Sequence, residues 1–281
     1  MVITDYSIDE IVFNPETLER LIYKLRKATK INFECYKPDF LKRRIKARMY
    51  RLNMISDGDY LHYISKNPDE FKKFCDLFTI NYTYFFRNYE VFEHLSKHIK
   101  NYKRQNKQKL KIWSCPCATG EEPYSIAMLF DKLQKTQSHV PDVEIVASDI
   151  DGNVLDFARK GVYGTYSIHD LPEMYMDSYF TESKTRLGPH YTISDDIKNK
   201  VLLLEEDLTN GHSLQQKYDI MFCRNFLIYL NKKSQKRVLR TIAQHLIPGG
   251  LLIVGKTEMV MNSKSELFRL IDGHHHFYVK K

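Results

Sequence analysis

The feature that most constrains the fold is the stretch Lys111-Ile112-Trp113-Ser114-Cys115-Pro116-Cys117-Ala118-Thr119-Gly120-Glu121-Glu122-Pro123-Tyr124-Ser125-Ile126-Ala127-Met128, which reads as a strand, a sharp turn and a helix start in immediate succession. Leu110 to Cys115 is short, apolar and set off by the polar run before it. Thr119-Gly120 can turn tightly, and Pro123 fits the first turn of a helix continuing through Ile126, Ala127, Leu129 and Phe130. In an open α/β sheet such a junction lies outside the carboxyl ends of the strands, where a nucleotide-like ligand sits. The turn holds one glycine, Gly120, so neither the G-x-G-x-x-G fingerprint nor the phosphate loop with its Lys-Ser/Thr is present. Glu121 and Glu122 stand in place of phosphate-cradling groups. At a helix N-terminus they repel a pyrophosphate and suit a cationic ligand, or they simply complement the helix dipole. The turn therefore points away from NAD and ATP.

A second acidic cue is Glu144-Ile145-Val146-Ala147-Ser148-Asp149-Ile150-Asp151, an apolar strand ending in a carboxylate and followed by a helical pattern through Val154, Leu155 and Ala158. A carboxylate at that strand tip can accept hydrogen bonds from ribose hydroxyls. Asp149 could instead cap the helix, a role that fits Asp151 at least as well.

Five segments, in order, carry a family resemblance. Asn81-Tyr82-Thr83-Tyr84-Phe85-Phe86-Arg87 resembles N-x-T-x-F-F-R, and Trp113 to Met128 resembles W-S-x-x-C-S-T-G-E-E-P-Y-S-I-A-M, both of the chemotaxis receptor methyltransferase (CheR) family. Ala147 to Asp151, Phe222-Cys223-Arg224-Asn225-Phe226-Leu227-Ile228-Tyr229 and Pro248-Gly249-Gly250-Leu251 match further on. The resemblance spans nearly the whole chain. It implies a Rossmann-like class I methyltransferase sheet with an N-terminal all-helical domain and a small β-subdomain insertion. The implied activity is transfer of a methyl group from S-adenosylmethionine to glutamate side chains of chemoreceptors, leaving S-adenosylhomocysteine.

The same resemblance assigns Arg87 to the methionyl carboxylate of the cofactor, Glu122 to its cationic methionyl end and Asp149 to its ribose, with Asn81 and Thr83 in support. Asp207-Leu208 falls where the family commonly has Asn-Leu beside the adenine, so Asp207 is a departure. Arg224, Asn225 and Tyr229 would line the methyl-transfer site, with Arg224 holding the acceptor carboxylate. Of these residues, Glu122, Asp149 and the strand-edge Arg224 also have a rationale independent of the resemblance.

Residues 1–82 read as helices only, opened by Asn14-Pro15, Pro38-Asp39, Ser56 and Asn67-Pro68, and are expected to form the receptor-recognition domain. Residues 83–281 form the expected catalytic domain, with a helix near Val91 to Ile99 and then alternating strands and helices. Gly161, Gly164, Pro172, Gly188 and Pro189 mark an insertion at about 161–195, the expected β-subdomain. An apolar share of 43% is enough for a packed core. Five cysteines without C-x-x-C or metal-ligand spacing predict reduced thiols, no disulfide and no metal. With no leader pattern and no membrane-length apolar run, a soluble cytoplasmic monomer without membrane insertion is expected.

Lys37 to Arg51 holds seven basic residues against Asp39 alone, and Lys97 to Lys111 holds seven and no acid, so two patches carry the positive charge. Arg44, Arg48 and Arg51 follow helical spacing and are expected to line one stripe, which the resemblance assigns to acidic receptor helices. The second run reads as a solvated face. The His274-His275-His276 tract fits a terminal strand by alternation through Val279, Phe85-Phe86 reads as packing, and Cys115 and Cys117 have no adjacent base. Two rivals remain at this point. A pI near 9.0 suggests a nucleic-acid methyltransferase, disfavoured because no N-P-P-Y-type motif and no aromatics interleaved with the basic helix are present. The other is a non-catalytic S-adenosylmethionine-binding signalling module.

Overall fold

The computed structural model describes residues 11–29, 31–78, 82–100, 109–137, 139–186, 188–210, 216–260 and 266–281. Asn81 and most of the second basic run, residues 101–108, lie outside them. The chain divides into two compact units, one comprising Met1–Ile80 with Tyr229–Gln235, the other Asn81–Ile228 with Lys236–Lys281.

The first unit is helical. α1 (Pro15–Ala28) opens on Asn14, whose side-chain oxygen accepts the Glu16 N–H at 2.9 Å, and buries Leu18, Leu21 and Leu25. α2 (Pro38–Arg51) starts on a proline, which has no N–H to leave unsatisfied, and buries Phe40, Leu41, Ile45 and Met49. α3 (Asp57–Lys66) and α4 (Pro68–Asp76) are capped by Ser56 and Asn67, so each helix begins at a local signal. The Tyr229–Gln235 segment belongs here through backbone bonds no sequence pattern announces: Lys37 N–H donates to the Tyr229 carbonyl and Asn231 N–H to the Cys35 carbonyl, each at 2.9 Å.

The expected basic stripe on α2 needs correction. Arg48 is not an exposed charge: its guanidinium makes a two-pronged contact with Glu70 of α4, with Nε to Oε1 at 2.7 Å and Nη2 to Oε2. Glu70 is buried and also accepts from the Tyr60 hydroxyl, so Arg48 neutralises an internal carboxylate. Arg44 lies against the Phe40 ring, 5.5 Å from its centroid, whereas Arg51 remains exposed.

The second unit runs α5 (Tyr89–Lys100), β1 (Leu110–Ser114), α6 (Glu121–Thr136), β2 (Val143–Asp149) and α7 (Gly152–Lys160). After these come β3 (Val162–Gly164), α8 (Thr165–Ile168), α9 (Glu173–Tyr179), β4 (Phe180–Thr185), β5 (Gly188–Ile193) and α10 (Asp195–Lys198). It closes with β6 (Val201–Glu205), β7 (Tyr218–Cys223), α11 (Lys232–His245, whose first turn through Gln235 is counted with the helical unit), β8 (Leu246–Val254), β9 (Phe268–Asp272) and β10 (Phe277–Lys280). The main sheet has seven strands in the order β6-β2-β1-β7-β8-β10-β9. Its first five strands pair in parallel, and β10 runs antiparallel to both β8 and β9. Strand order reverses between β1 and β7, which makes their carboxyl ends the switch point of the sheet. This is the Rossmann-like class I methyltransferase sheet that the resemblance implies. β3, β5 and β4 form a separate three-stranded antiparallel sheet.

Apolar side chains on both faces hold β1 at the centre. Leu110 and Ile112 join the core with Ile126, Phe130 and Ile220, while Trp113 donates Nε1–H to Ser148 Oγ at 2.9 Å and packs against Tyr218 and His245. Phe85 meets Tyr163 and Phe180, and Phe86 meets Phe92 and Tyr175, so this pair packs the core as its composition suggested. The histidine tract differs from expectation. Asp272 Oδ1 accepts the N–H groups of His274 and His275 at 2.8 and 3.0 Å, bending residues 273–276 into a turn, and the strand begins only at Phe277.

Candidate active site

The turn after β1 is shaped by hydrogen bonds to β2. Cys117 N–H donates to the Ser148 carbonyl and Ala118 N–H to Asp149 Oδ2, each at 2.9 Å. Gly120 then adopts φ +93°, and a Cβ there would meet Ala158 Cβ at 2.8 Å and the Tyr124 ring at 3.0 Å, so both backbone and space require glycine. The alternative left open for Asp149 is resolved by geometry. Asp151 caps α7, accepting Asn153 N–H at 2.9 Å, while Asp149 is buried and braces the turn, its Oδ1 accepting Asp151 N–H at 3.1 Å. Burial pushes the Asp149 carboxyl above the usual range, opposed by the N–H donors of Asp151 and Ala118. The Ile150 N–H also donates to it, so of its about four lone-pair positions one remains for a hydroxyl-bearing ligand.

The adjacent glutamates behave differently. Glu121 turns inward and is held by Thr119 Oγ1 at 2.6 Å and Ser167 Oγ at 2.9 Å; burial raises its pKa to about 7. Glu122 accepts from Ser114 Oγ, at the end of β1, at 2.7 Å and pairs with Arg224 Nη1 at 3.1 Å.

Arg224 is the second correction. Its side chain is 2% exposed, Nη2 donates to the Arg87 carbonyl at 2.7 Å and to Asn88 Oδ1 at 2.9 Å, and Nη1 is taken by Glu122. Only Nε lacks a partner among the described residues. A guanidinium used this way positions Glu122 and the 87–88 turn; it does not present a free fork to an incoming carboxylate. Arg87 is half-buried, donates Nη1–H to the Tyr82 carbonyl at 2.9 Å and lies over the Tyr82 and Tyr84 rings. The flanking Phe86 and Asn88 have φ of +53° and +61°, and Thr83 is half-buried in the segment before them.

Asp207 Oδ1 accepts both the N–H and the hydroxyl of Thr209, at 2.7 and 2.6 Å, and its buried Oδ2 has no partner among the described residues. Leu208 beside it is buried. Asn225 has φ +60°, and its N–H donates to Glu258 Oε2 at 2.7 Å. Glu258 escaped sequence reasoning altogether. It is buried, also accepts the N–H groups of Gly255 and Ile228, and thereby shapes the chain around Asn225; no motif surrounds it. Tyr229, which the resemblance assigns to the methyl-transfer site, is counted with the helical unit, and its ring centroid lies 4.9 Å from that of Phe40. Burial pushes the Cys115 and Cys117 thiols well up, which removes them as nucleophiles.

Acceptors dominate this edge: Glu122, Asp149 and the unpartnered Asp207 Oδ2. Together they fit a ligand that brings an ammonium or sulfonium charge, ribose hydroxyls and an exocyclic amine, as S-adenosylmethionine does. Residues 81–277 match the family described as CheR methyltransferase, SAM binding domain, and residues 16–79 match its all-alpha domain. The chain is 30% identical over 273 residues to chemotaxis protein methyltransferase 2 of Vibrio cholerae, covering 94% of this chain and 92% of that one. It is 30% identical over 267 residues to chemotaxis protein methyltransferase 2 of Pseudomonas aeruginosa, covering 95% and 94%. With the chemotaxis protein methyltransferase of Listeria monocytogenes it shares 28% identity over 251 residues, covering 89% and 92%. No helix among the described residues is long and apolar enough to cross a membrane. Sheet order, acidic edge and matched residues agree: this chain belongs to the CheR family of S-adenosylmethionine-dependent methyltransferases.

Proposed function

We propose that the protein methylates glutamate side chains of chemoreceptors, acting in the cytoplasm as a monomer and forming glutamate methyl esters. The observation that carries this reading is the pair of acceptors at the tips of adjacent central strands: Glu122, tied to Ser114 of β1, and Asp149, the last residue of β2. S-adenosylmethionine supplies a methyl group already activated on a sulfonium leaving group. Glu122 would hold its cationic end and Asp149 its ribose hydroxyls, while Arg87 would pair with its carboxylate. Asp207 would accept an adenine N–H through Oδ2, with Leu208 against the ring. Asn225, Thr83 and Asn81 would support these contacts, and Arg224 keeps Glu122 in place.

The acceptor glutamate titrates near pH ~4.3 when exposed, so at neutral pH it is anionic and needs no general base. What remains for the chain is alignment and exclusion of water. The helical unit, residues 1–82 in this reading, would recognise the receptor through Arg44 and Arg51 of α2. Labelled S-adenosylmethionine supplied with receptor cytoplasmic fragments or with RNA tests the whole. Label should appear on the receptor and leave as methanol under mild base. Base-stable label, or label on RNA, would overturn the reading, and no transfer to any acceptor would favour a non-catalytic module.

A further inference from the structure

Beyond β7, where β8 ends and β10 begins, His94 of α5, Asp272 at the end of β9 and His275 in the following turn converge. One ligand atom from each lies within 4.8 Å of the others. His275 Nδ1 is 2.8 Å and His94 Nε2 is 3.3 Å from the same oxygen, Asp272 Oδ2. A carboxylate–imidazole hydrogen bond that steadies the turn accounts for His275. It does not account for a second imidazole aimed at the same oxygen from a helix far away in sequence, its ring stacked on that of His275 at 4.5 Å between centroids.

We propose that His94 Nε2, Asp272 Oδ2 and His275 Nδ1 form a binding site for a borderline transition-metal cation of the Zn²⁺ class. Donors bound tetrahedrally to such an ion at about 2.0–2.1 Å sit about 3.3 Å apart; Asp272 Oδ2 already lies 2.8 and 3.3 Å from the two imidazole nitrogens, which are themselves within 4.8 Å of each other. The carboxylate is already aimed, because its other oxygen is held by the N–H groups of His274 and His275, the kind of outer support that ligating carboxylates have. All three side chains are half-buried, open enough for entry of an ion and for water in the fourth position. Two imidazoles and one carboxylate select Zn²⁺, Co²⁺ or Ni²⁺ over Mg²⁺ and Ca²⁺, which want oxygen ligands. The ion would clip α5 to the β9–β10 turn. Sequence spacing hides the site because only one histidine of the 274–276 tract takes part, and the other two ligands come from outside it.

The test uses the untagged full chain after chelator treatment, titrated with Zn²⁺ by calorimetry and with Co²⁺ followed by visible absorption. One ion per chain should bind, with Co²⁺ bands typical of a tetrahedral site and no competition from excess Mg²⁺. His94→Ala, His275→Ala and Asp272→Asn should each weaken binding about tenfold or more, and His274→Ala should leave it unchanged. Circular dichroism of each variant shows whether the fold is retained. Absence of saturable binding overturns the site. So does an affinity that survives His94→Ala, or one that falls as much in His274→Ala as in His275→Ala, since either would mean loose capture by the histidine tract.

Discussion

In the helical unit, the buried carboxylate of Glu70 is answered by a cation, Arg48, in a two-pronged pair. At the carboxyl edge of the sheet, Asp149 and Glu258 are answered by backbone N–H groups, and Glu122 by one hydroxyl and one edge of Arg224. A carboxylate offers about four lone-pair positions. Glu70 accepts two bonds from Arg48 and one from the Tyr60 hydroxyl, whereas Glu122 is positioned by two donors and Asp149 by three backbone N–H groups, and both retain acceptor capacity. The difference separates a scaffold ion pair from acids held in place for a ligand.

Unpairing the cation in each region is the most severe way to test this. Arg48→Met and Arg224→Met each leave a largely buried carboxylate uncompensated and should cost about 3–5 kcal/mol of stability in denaturant unfolding. Only Arg224→Met should also weaken S-adenosylhomocysteine binding in calorimetric titration. Equal weakening by both would break the comparison.

Glu121 sharpens it through pH. Burial raises its folded pKa to about 7 from 4.5, so the folded chain binds its proton more tightly than the unfolded chain does. That contribution is fully present below pH 4.5, declines as pH rises through the window from 4.5 to 7, and is gone above it. Glu121→Gln should flatten the profile by about 3 kcal/mol across the window. A profile unchanged by the substitution would show that folding does not raise the Glu121 pKa.

Arg87→Ala should weaken S-adenosylhomocysteine binding by about 1.5–3 kcal/mol, roughly 10–150-fold, if a charge-assisted pair to the ligand carboxylate is lost. Unchanged affinity with an intact fold would remove Arg87 from the site.

The smallest effect on stability, under about 1 kcal/mol, is expected for Arg44→Glu with Arg51→Glu, which spares the Arg48–Glu70 pair. S-adenosylhomocysteine affinity should persist while receptor methylation slows. The wild-type rate should fall with added salt, since exposed charges are screened over about 8 Å at physiological ionic strength. Unchanged methylation would detach α2 from receptor recognition.

Signals a few residues wide were legible in the sequence. Asn14, Ser56 and Asn67 cap helices where they were expected to, because a cap needs only its own side chain and an N–H two or three residues on. The strand, the Gly120 turn and the helix of residues 110–136 were equally legible, since a short isolated apolar run, a glycine able to turn tightly and a proline in the first turn are local properties. Asp207 was visible as a departure from the family pattern, but its unpartnered oxygen was not.

Tertiary structure alone decided what depends on which surfaces meet. Glu121 and Glu122 are chemically identical neighbours, yet Ser167 of α8 draws one inward and Arg224, beyond β7, pairs with the other. The stripe on α2 had correct periodicity, but periodicity cannot show that α4 offers Glu70 to Arg48. Tyr229 ends the matched Phe222–Tyr229 segment, and its contacts with Lys37 and Phe40 of the helical unit are ones no motif announces. Glu258 and the His94–Asp272–His275 cluster were invisible for the same reason: their partners come from distant segments, brought together when the sheet and its flanking helices pack. Local preference sets which elements form, and burial with long-range pairing sets what each polar side chain is for.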